Sequence, residues 1–292
     1  LRVVPFENEA VNECWIADRD RFSYEALSSP DRLTVPMIKQ DGRWLEVDWQ
    51  IALEYAASGL RDIAEKQGPA GVGLLASPHS TVEELWLARQ LVHALGSDNI
   101  DYRLRHAECA DAQGKVRWLG MPIAELTTLD RALVIGSHLR KDHPLFAQRI
   151  RQAVRQGAQV CAVAQTSPDW AMPVHAVLQA DALDWTQALA DIAAAVAAET
   201  GVQPPVANPA GPMDTAVAIA RSLLGGGRKA VLLGNAAAHH PQASSLLALA
   251  QWIAAQTGAR FGFLTEAANT VGAQCVGALP QVGGLTARQM VQ

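Results

Sequence analysis

The segment ALVIGSHLRKDHPLFAQRIRQAVRQGAQVCAV, residues 132–163, decides the fold class. It opens with a short apolar run, continues with an amphipathic helical pattern from Pro144 to about Gln156, and closes with a second apolar run after Gly157. Short apolar strands on either side of such a helix are typical of a parallel β-α-β unit, whose strands are buried on both faces. The sequence therefore predicts an α/β fold with parallel sheets covered by helices on both faces.

The same alternation extends over most of the chain and suggests how it is divided. Residues 1–47 are predicted to form an extended segment with a hairpin, residues 48–200 a first α/β unit, and residues 214–292 a second, truncated one. Between the two units, residues 201–213 contain four prolines and are predicted to be a linker. Further helices are predicted at residues 49–66, 184–199, 214–224 and 241–257, and another is predicted to begin with a capping box formed by Ser80 and Glu83. Strands are predicted at residues 71–76, 99–104, 174–178, 229–234 and 259–264.

Composition excludes several classes of function. The 292 residues are 49% hydrophobic and 18% charged, which is typical of a globular protein. A net charge of −5 argues against a nucleic acid or an anionic membrane as partner, because either would require a basic surface. The longest apolar stretch, around residues 193–198, falls far short of the roughly 18 residues of a transmembrane helix. We therefore expect no direct insertion into a membrane.

The four cysteines are widely separated in the sequence. Cys14, Cys109, Cys161 and Cys275 include no CxxC pair. This distribution is typical of a reducing compartment and argues against a self-contained zinc or iron–sulfur site within these residues. Cys161, inside an apolar strand, and Cys275, among small residues, are interpreted as structural thiols.

Five sequence blocks occur in the order found in one superfamily. They are NECWIADRDRF (residues 12–22), DRLTVPM (31–37), SPHSTVEELWLARQLVHALGSDNID (77–101), GSHLRKDHPLFAQRIRQAVRQGAQV (136–160) and NTVGAQCVGALP (269–280). Together they resemble the molybdopterin oxidoreductase superfamily, which includes formate dehydrogenases and dimethyl sulfoxide reductases. The stretches NECWIADRDRFSYEAL, LRKDHPL and FLTEAANTVGA give a narrower likeness, to the large iron–sulfur subunits of bacterial NADH:quinone oxidoreductase (complex I).

This resemblance implies electron transfer from NADH to quinone by a whole complex. The chain is then expected to be a fragment, because it starts at Leu1 and stops within a helical pattern. The [2Fe–2S] and [4Fe–4S] clusters are expected upstream of Leu1. Other peripheral-arm subunits are the expected partners, at the cytoplasmic side of the bacterial inner membrane.

Positions that bind cofactors in the family are altered in this chain. Ala17 stands where the resemblance places a cysteine ligand of an iron–sulfur cluster, and Ala107 stands where it places the metal ligand of the molybdenum site. The D-P-R-x-T segment is replaced by residues 164–170, AQTSPDW, and the P-G-T-D segment by residues 180–183, ADAL. Bound molybdopterin is therefore not expected. No catalytic, cofactor-binding or metal-binding residue is predicted, and the fragment alone is expected to be non-catalytic.

Several polar residues are candidates for a site. Cys14 and Cys109 could be displaced metal ligands, but an ordinary thiol is the preferred interpretation of each. The adjacent His239 and His240 are expected to cap the next helix, because no carboxylate or cysteine flanks them. His79 follows a predicted strand and precedes a helix, so an anion site there remains a hypothesis beside that of a solvated loop.

Three further groups have structural interpretations. The cluster Arg140–His143 is expected at the surface or at a subunit contact, with Pro144 opening a helix. Residues 225–227, all glycine, precede a strand and indicate a turn instead of a phosphate loop. Residues 18–21 alternate in charge, which is typical of ion pairs that lock a loop.

Two alternatives remain open at the level of sequence. The first is an active molybdenum or tungsten oxidoreductase, such as a formate dehydrogenase, with unusual metal ligation. The second is an α/β module that binds a nucleotide or another anion at the ends of its strands.

Overall fold

A computed structural model describes residues 2–109, 116–207, 211–281 and 283–292. The described residues form two compact units, each built from separate parts of the chain. Unit 1 contains residues 2–3, 18–104 and 267–292, and unit 2 contains residues 4–17 and 105–266. Within these described ranges, none of the helices combines the length and apolar character needed to cross a bilayer.

The elements are numbered in chain order. The helices are α1 Asp18–Phe22, α2 Trp49–Gln67, α3 Val82–Ala94, α4 Leu139–Asp142, α5 Pro144–Arg155, α6 Trp185–Thr200, α7 Asp214–Leu224, α8 Asn235–Ala238, α9 Ala243–Thr257, α10 Thr270–Cys275 and α11 Ala287–Met290. The strands are β1 Met37–Gln40, β2 Arg43–Glu46, β3 Leu74–Leu75, β4 Ile100–Asp101, β5 Arg131–Ile135, β6 Gln159–Ala164, β7 Ala176–Gln179, β8 Lys229–Leu233 and β9 Arg260–Phe263.

Unit 2 is built on a five-stranded parallel sheet with the order β7-β6-β5-β8-β9. Alternate residues of the central strand β5 face opposite sides, as the period of a strand requires. Leu133 and Ile135 belong to the core under α6, α7 and α9, whereas Ala132 and Val134 belong to the core on the side of α5. The predicted α/β fold, with a parallel sheet covered on both faces, is confirmed.

Unit 1 contains the hairpin, the two-stranded parallel sheet β3–β4 and the helices α1, α2, α3, α10 and α11. Asp41 and Gly42 both have positive φ, +49° and +79°, as expected of the predicted two-residue turn between β1 and β2. Asp48 caps α2 by accepting a hydrogen bond from the Ile51 N–H at 2.9 Å. No residue of α2, which is described in full, is buried, and several of its large apolar side chains, including Trp49, Leu53 and Tyr55, are exposed.

One local detail, the capping box of α3, differs from the sequence prediction. The capping box of α3 is formed by Thr81 and Glu84, one residue later than the predicted Ser80–Glu83 pair. The Thr81 hydroxyl accepts from the Glu84 N–H, and the Glu84 carboxylate accepts from the Thr81 N–H. Ser80 and Thr81 are both good caps, so composition alone could not decide between them.

The predicted division at residues 201–213 also differs from the structure. β8 and β9 follow that segment in sequence but extend the sheet that contains β5, β6 and β7. β8 pairs with the central strand β5 over five residue pairs, from Arg131–Lys229 to Ile135–Leu233. Prolines mark the connection between α6 and α7, but the strands on both sides complete one sheet.

Candidate functional site

The carboxyl edge of the unit 2 sheet is the position where open α/β sheets bind ligands. The chain runs from β5 to β6 and β7 on one side, and β8 and β9 lie on the other, so the topology switches between β5 and β8. Gly136 and Gly234 follow these two strands. Gly136 has a φ of +63°, and a Cβ there would lie 2.7 Å from the Trp185 ring. A Cβ on Gly234 would overlap the side chain of Ser137, so glycine is required for this close packing.

A cavity of about 270 Å³ opens at this edge. Its lining includes Ser137, His138, Asp142, Thr166 and Trp185. The Asp142 carboxylate accepts hydrogen bonds from the His138 N–H at 2.8 Å and from the Ser137 hydroxyl at 3.1 Å. A backbone N–H at this position is the type of donor that binds phosphate in other α/β proteins, but here a carboxylate already uses it.

Ala107, the position that the resemblance ties to the molybdenum ligand, carries no metal-binding group. Ala107 is exposed and its N–H donates to the His239 carbonyl at 3.2 Å, while its methyl group has no atom that can bind a metal. In unit 1, Asp101 is fully buried, and its carboxylate accepts from the Arg103 guanidinium and from the Ala287 N–H. Within unit 2, Ala107 therefore supplies no metal ligand, and Asp142 occupies the His138 N–H from which an anionic pterin group could otherwise accept a hydrogen bond.

An N-terminal stretch of unit 2 is bound by the buried Arg149 of α5. The Arg149 guanidinium donates to the carbonyls of Glu9 at 2.6 Å and Val11 at 3.2 Å, and it lies 3.5 Å from the Glu13 carboxylate. Gln152, one turn further along α5, donates to the same carboxylate at 3.1 Å. Arg149 is absent from the sequence-based candidates, although an arginine within a strongly amphipathic helix is a signal for such a contact.

Three side chains converge beside the carboxyl ends of β8 and β9. His239 follows α8, Glu266 follows β9, and His106 comes from the segment before residue 110. The Nε2 atom of His239 lies 2.7 Å from one Glu266 oxygen, and the Nε2 atom of His106 lies 3.9 Å from the other. Burial alone would raise the pKa of Glu266, but the two imidazoles favour the ionised carboxylate more strongly and hold its pKa well below the usual range.

The structure separates the two adjacent histidines into different roles. His240 is buried; its Nδ1 accepts from the Gln242 N–H at the start of α9, so its Nε2 donates to the Ala182 carbonyl. His239 instead faces Glu266, a carboxylate 27 positions further along the sequence. The expectation that both cap the following helix is therefore wrong: α9 has no side-chain cap, His240 binds the Gln242 N–H that precedes it, and His239 faces Glu266.

The cysteines show one clear difference from expectation. Cys161 is buried, and burial raises its pKa to about 11, in keeping with a structural thiol. Cys275, interpreted as a structural thiol as well, is exposed at the last residue of α10. Cys14 is exposed and Cys109 is half-buried, and neither belongs to the cluster of His106, His239 and Glu266.

The remaining candidates form local contacts. His79 is exposed, and its N–H donates to the Ser77 hydroxyl. Arg140 is exposed and paired with Asp169 at 2.8 Å. The glycine run is a turn whose Gly227 N–H donates to Asp130. Residues 18–21 lie in the short helix α1, and the Arg21 guanidinium donates to the Val3 carbonyl.

Comparison with known families assigns the chain. The sequence model of the family described as "Molybdopterin oxidoreductase" matches residues 32–292. The chain belongs to the molybdopterin oxidoreductase family. A second model, described as "NADH-ubiquinone oxidoreductase NDSU1/NuoG-like, 4Fe-4S domain", matches residues 1–25 of this molybdopterin oxidoreductase family member. That match contains the stretch to which Arg149 binds.

Curated relatives cover two kinds of oxidoreductase. An NADH-quinone oxidoreductase subunit from Rickettsia felis is 32% identical over 158 residues, which are 54% of this chain and 23% of that protein. A putative formate dehydrogenase from Staphylococcus aureus is 28% identical over 159 residues, which are 52% of this chain and 16% of that protein. The matched region therefore spans less than a quarter of the length of either relative.

Solved structures support the fold. Acetylene hydratase from Pelobacter acetylenicus superposes with a TM-score of 0.63 at 16% identity, over 83% of this chain and 38% of that chain. A chain of the formyltransferase/hydrolase complex from Methylorubrum extorquens gives a TM-score of 0.52 at 17% identity, over 78% of this chain and 60% of that chain. At these identities the likeness concerns architecture alone.

Proposed function

We propose that this chain is part of the large iron–sulfur subunit of a bacterial NADH:quinone oxidoreductase. In this role the molybdopterin oxidoreductase domain has no pterin redox centre of its own and supports iron–sulfur clusters carried by other parts of the subunit. The whole complex transfers electrons from NADH to quinone, at the cytoplasmic side of the inner membrane, with other peripheral-arm subunits as partners.

The contact between Arg149 and the N-terminal stretch carries the proposal. Residues 1–25 match a 4Fe–4S domain, and the carbonyls of Glu9 and Val11 within them accept hydrogen bonds from the guanidinium of a buried α5 arginine. A buried guanidinium bound to two carbonyls fixes the backbone that it holds. This contact supports a domain that serves as a rigid base for a neighbouring iron–sulfur segment.

Two further observations favour a domain without molybdopterin. Ala107 supplies no ligand at the position of the metal, and Asp142 places a carboxylate on the His138 N–H at the carboxyl edge of the sheet. A phosphate near Asp142 would meet a negative charge instead of a free donor. The exposed apolar side chains of α2, including Trp49 and Leu53, are consistent with a surface that packs against another polypeptide.

Metal analysis of the full-length subunit, purified from its native membranes, tests the absence of a pterin centre. We expect iron and acid-labile sulfide, with molybdenum and tungsten far below one atom per chain. Stoichiometric molybdenum or tungsten together with a pterin would contradict the proposal and favour a formate dehydrogenase-like enzyme.

Replacement of Arg149 by methionine in the full-length subunit tests its role as a support. Membranes that carry this variant should lose NADH-driven quinone reduction, while succinate-driven quinone reduction stays unchanged. The matched variant Arg155→Met, at the exposed end of the same helix, should retain both activities. Full NADH-driven activity of the Arg149 variant would refute the support role.

The second alternative, an anion-binding module, has its own measurement. Because Asp142 already binds the His138 N–H, nucleotides and inorganic phosphate should leave the melting temperature of the chain unchanged. A rise in melting temperature that increases with the concentration of one nucleotide would support that alternative instead.

A further inference from the structure

We propose that His106, His239 and Glu266 form a binding site for a divalent first-row transition metal ion, with Zn²⁺ as its representative. The site belongs to unit 2 and uses two imidazole nitrogens and one carboxylate. His106 directly precedes Ala107, the position where the family resemblance places a metal ligand, and Ala107 itself supplies none. The site stands independently of whether the chain serves in an NADH:quinone oxidoreductase.

The geometry is that of three ligands around one point. One ligand atom from each residue lies within 4.8 Å of the others. Ligand atoms at the zinc–nitrogen and zinc–oxygen distances of a tetrahedral site are about 3.3 Å apart. The 2.7 Å separation of His239 and the 3.9 Å separation of His106 are measured to different oxygens of Glu266 and lie on either side of that value. Binding of one ion therefore requires side-chain rotations that bring the three ligand atoms around a common point.

The contact between His239 and Glu266 does not satisfy the histidine nitrogen. The His239 Nε2 atom is buried and makes no hydrogen bond among the described residues, although a Glu266 oxygen is 2.7 Å away. A buried polar atom without a partner is costly, and an ion between the groups would satisfy it.

Burial and charge fit a cation. The side chains of His106, His239 and Glu266 are 10%, 19% and 11% exposed, so they are largely shielded while an ion can still reach them. A carboxylate beside two imidazole nitrogens offers a cation one anionic and two neutral ligands.

The donor set defines the class of metal. Imidazole together with carboxylate suits Zn²⁺, Fe²⁺, Co²⁺ and Ni²⁺. Ca²⁺ and Mg²⁺ prefer oxygen ligands, and Cu⁺ prefers sulfur. Three protein ligands leave at least one coordination position for water, as in zinc sites that are open to solvent.

Contacts outside the cluster hold the three ligands in place. The Ala107 N–H binds the His239 carbonyl, which joins the His106 segment to the turn after α8. The adjacent Glu108 carboxylate accepts from the Ser244 N–H at 2.8 Å, at the first turn of α9. Glu266 follows Leu264, whose N–H continues the sheet by donating to the Leu233 carbonyl at 2.8 Å. Such outer contacts orient metal ligands before the ion binds.

Calorimetric titration of the tag-free 292-residue chain, stripped of metal by chelation, tests the proposal. Zn²⁺ should bind with one ion per chain and raise the melting temperature, whereas Mg²⁺ and Ca²⁺ should do neither. Co²⁺ should give visible d–d absorption without a sulfur-to-metal charge-transfer band, because the ligands are nitrogen and oxygen. A flat Zn²⁺ titration, or a charge-transfer band that disappears in Cys109→Ser, would overturn the site.

Variants separate this site from adventitious binding. Glu266→Gln and His239→Asn should each weaken Zn²⁺ binding by more than about 100-fold, beyond the loss typical of outer contacts. The control His79→Asn, at an exposed histidine of unit 1, should bind Zn²⁺ as the unaltered chain does. Circular dichroism and the metal-free melting temperature report whether each variant folds. If folded Glu266→Gln and His239→Asn proteins bind Zn²⁺ with unchanged affinity, the proposal fails.

Discussion

The guanidinium of Arg149 donates a hydrogen bond to the backbone carbonyl of Glu9 across 2.6 Å, joining residues 140 positions apart in sequence. The arginine side chain is only 5% exposed, so its charge is removed from bulk water and balanced by Glu13. Removing one member of a buried charged pair destabilises a protein strongly, because the groups that remain are buried without a partner. This single side chain thus links the N-terminal stretch to the α/β core of unit 2.

Arg149→Met should lower the free energy of unfolding by about 3 kcal/mol, because it leaves the carbonyls of Glu9 and Val11 without their donor. Urea denaturation followed by circular dichroism measures this change. Arg155→Met, on the exposed last turn of the same helix, should change it by about 0.5 kcal/mol or less. Equal effects of both variants would show that the carbonyl contacts contribute nothing specific.

Asp130 should make stability depend on pH in acid. The N–H groups of Arg228 and Gly227 donate to its carboxylate and lower its pKa to about 2, from an ordinary value of 3.8. A folded-state pKa below the unfolded value stabilises the fold above about pH 4, and this contribution is lost as the pH falls towards about 2.

At about pH 6 the melting temperature of Asp130→Asn should be lower than that of the unaltered chain. At about pH 2.5 the two melting temperatures should be closer together. Calorimetric scans at the two pH values measure both differences. The control Asp169→Asn, at an exposed carboxylate paired with Arg140, should leave the profile close to that of the unaltered chain. An identical pH profile for Asp130→Asn and the unaltered chain would contradict the assignment.

The four cysteines should differ in reactivity towards N-ethylmaleimide at about pH 8. Cys14 and Cys275 are exposed and should react within the native protein, whereas Cys161 should react only after unfolding, because it is buried and its pKa is about 11. Mass spectrometry of labelled peptides distinguishes the sites. Modification of Cys161 at the same rate as Cys275 under native conditions would disprove its burial.

Two glycine substitutions should differ in their effect on the free energy of unfolding. Gly234→Ala places a Cβ against Ser137 beyond the carboxyl ends of β5 and β8, and should cost about 3 kcal/mol of unfolding free energy. Gly59→Ala lies within α2, where a Cβ meets no atom within 4 Å, and should be neutral or stabilise by up to about 1 kcal/mol. Thermal and urea unfolding of both variants provide the comparison, and a stable Gly234→Ala protein would argue against the close packing.

Much of the fold follows from local sequence signals. Asp48 and Gly68 mark the two ends of α2, Pro144 opens α5, and Asp214 and Leu224 bound α7 as predicted. These signals depend on a few neighbouring residues, so they can be read without knowing the tertiary structure. The α/β class follows from the same alternation.

The order of the strands and the metal-binding cluster do not follow from such signals. β5 pairs with β8 across nearly a hundred intervening positions, and no local pattern identifies that partner. The sequence neighbours of His239 contain no carboxylate and favour a capping role, yet the parallel arrangement of β8 and β9 brings Glu266 to it. Contacts between strand ends depend on topology, which the sequence pattern leaves open.

The pairing of β5 with β8 has a consequence for synthesis of the chain on the ribosome. When residues 131–179 have emerged, β5, β6 and β7 can pair, but the other edge of β5 has no neighbour until Lys229–Leu233 are translated. An apolar strand edge that waits in this way can pair with another nascent chain. Residues 180–228, which include the proline-rich segment before α7, must therefore be translated before that edge is paired.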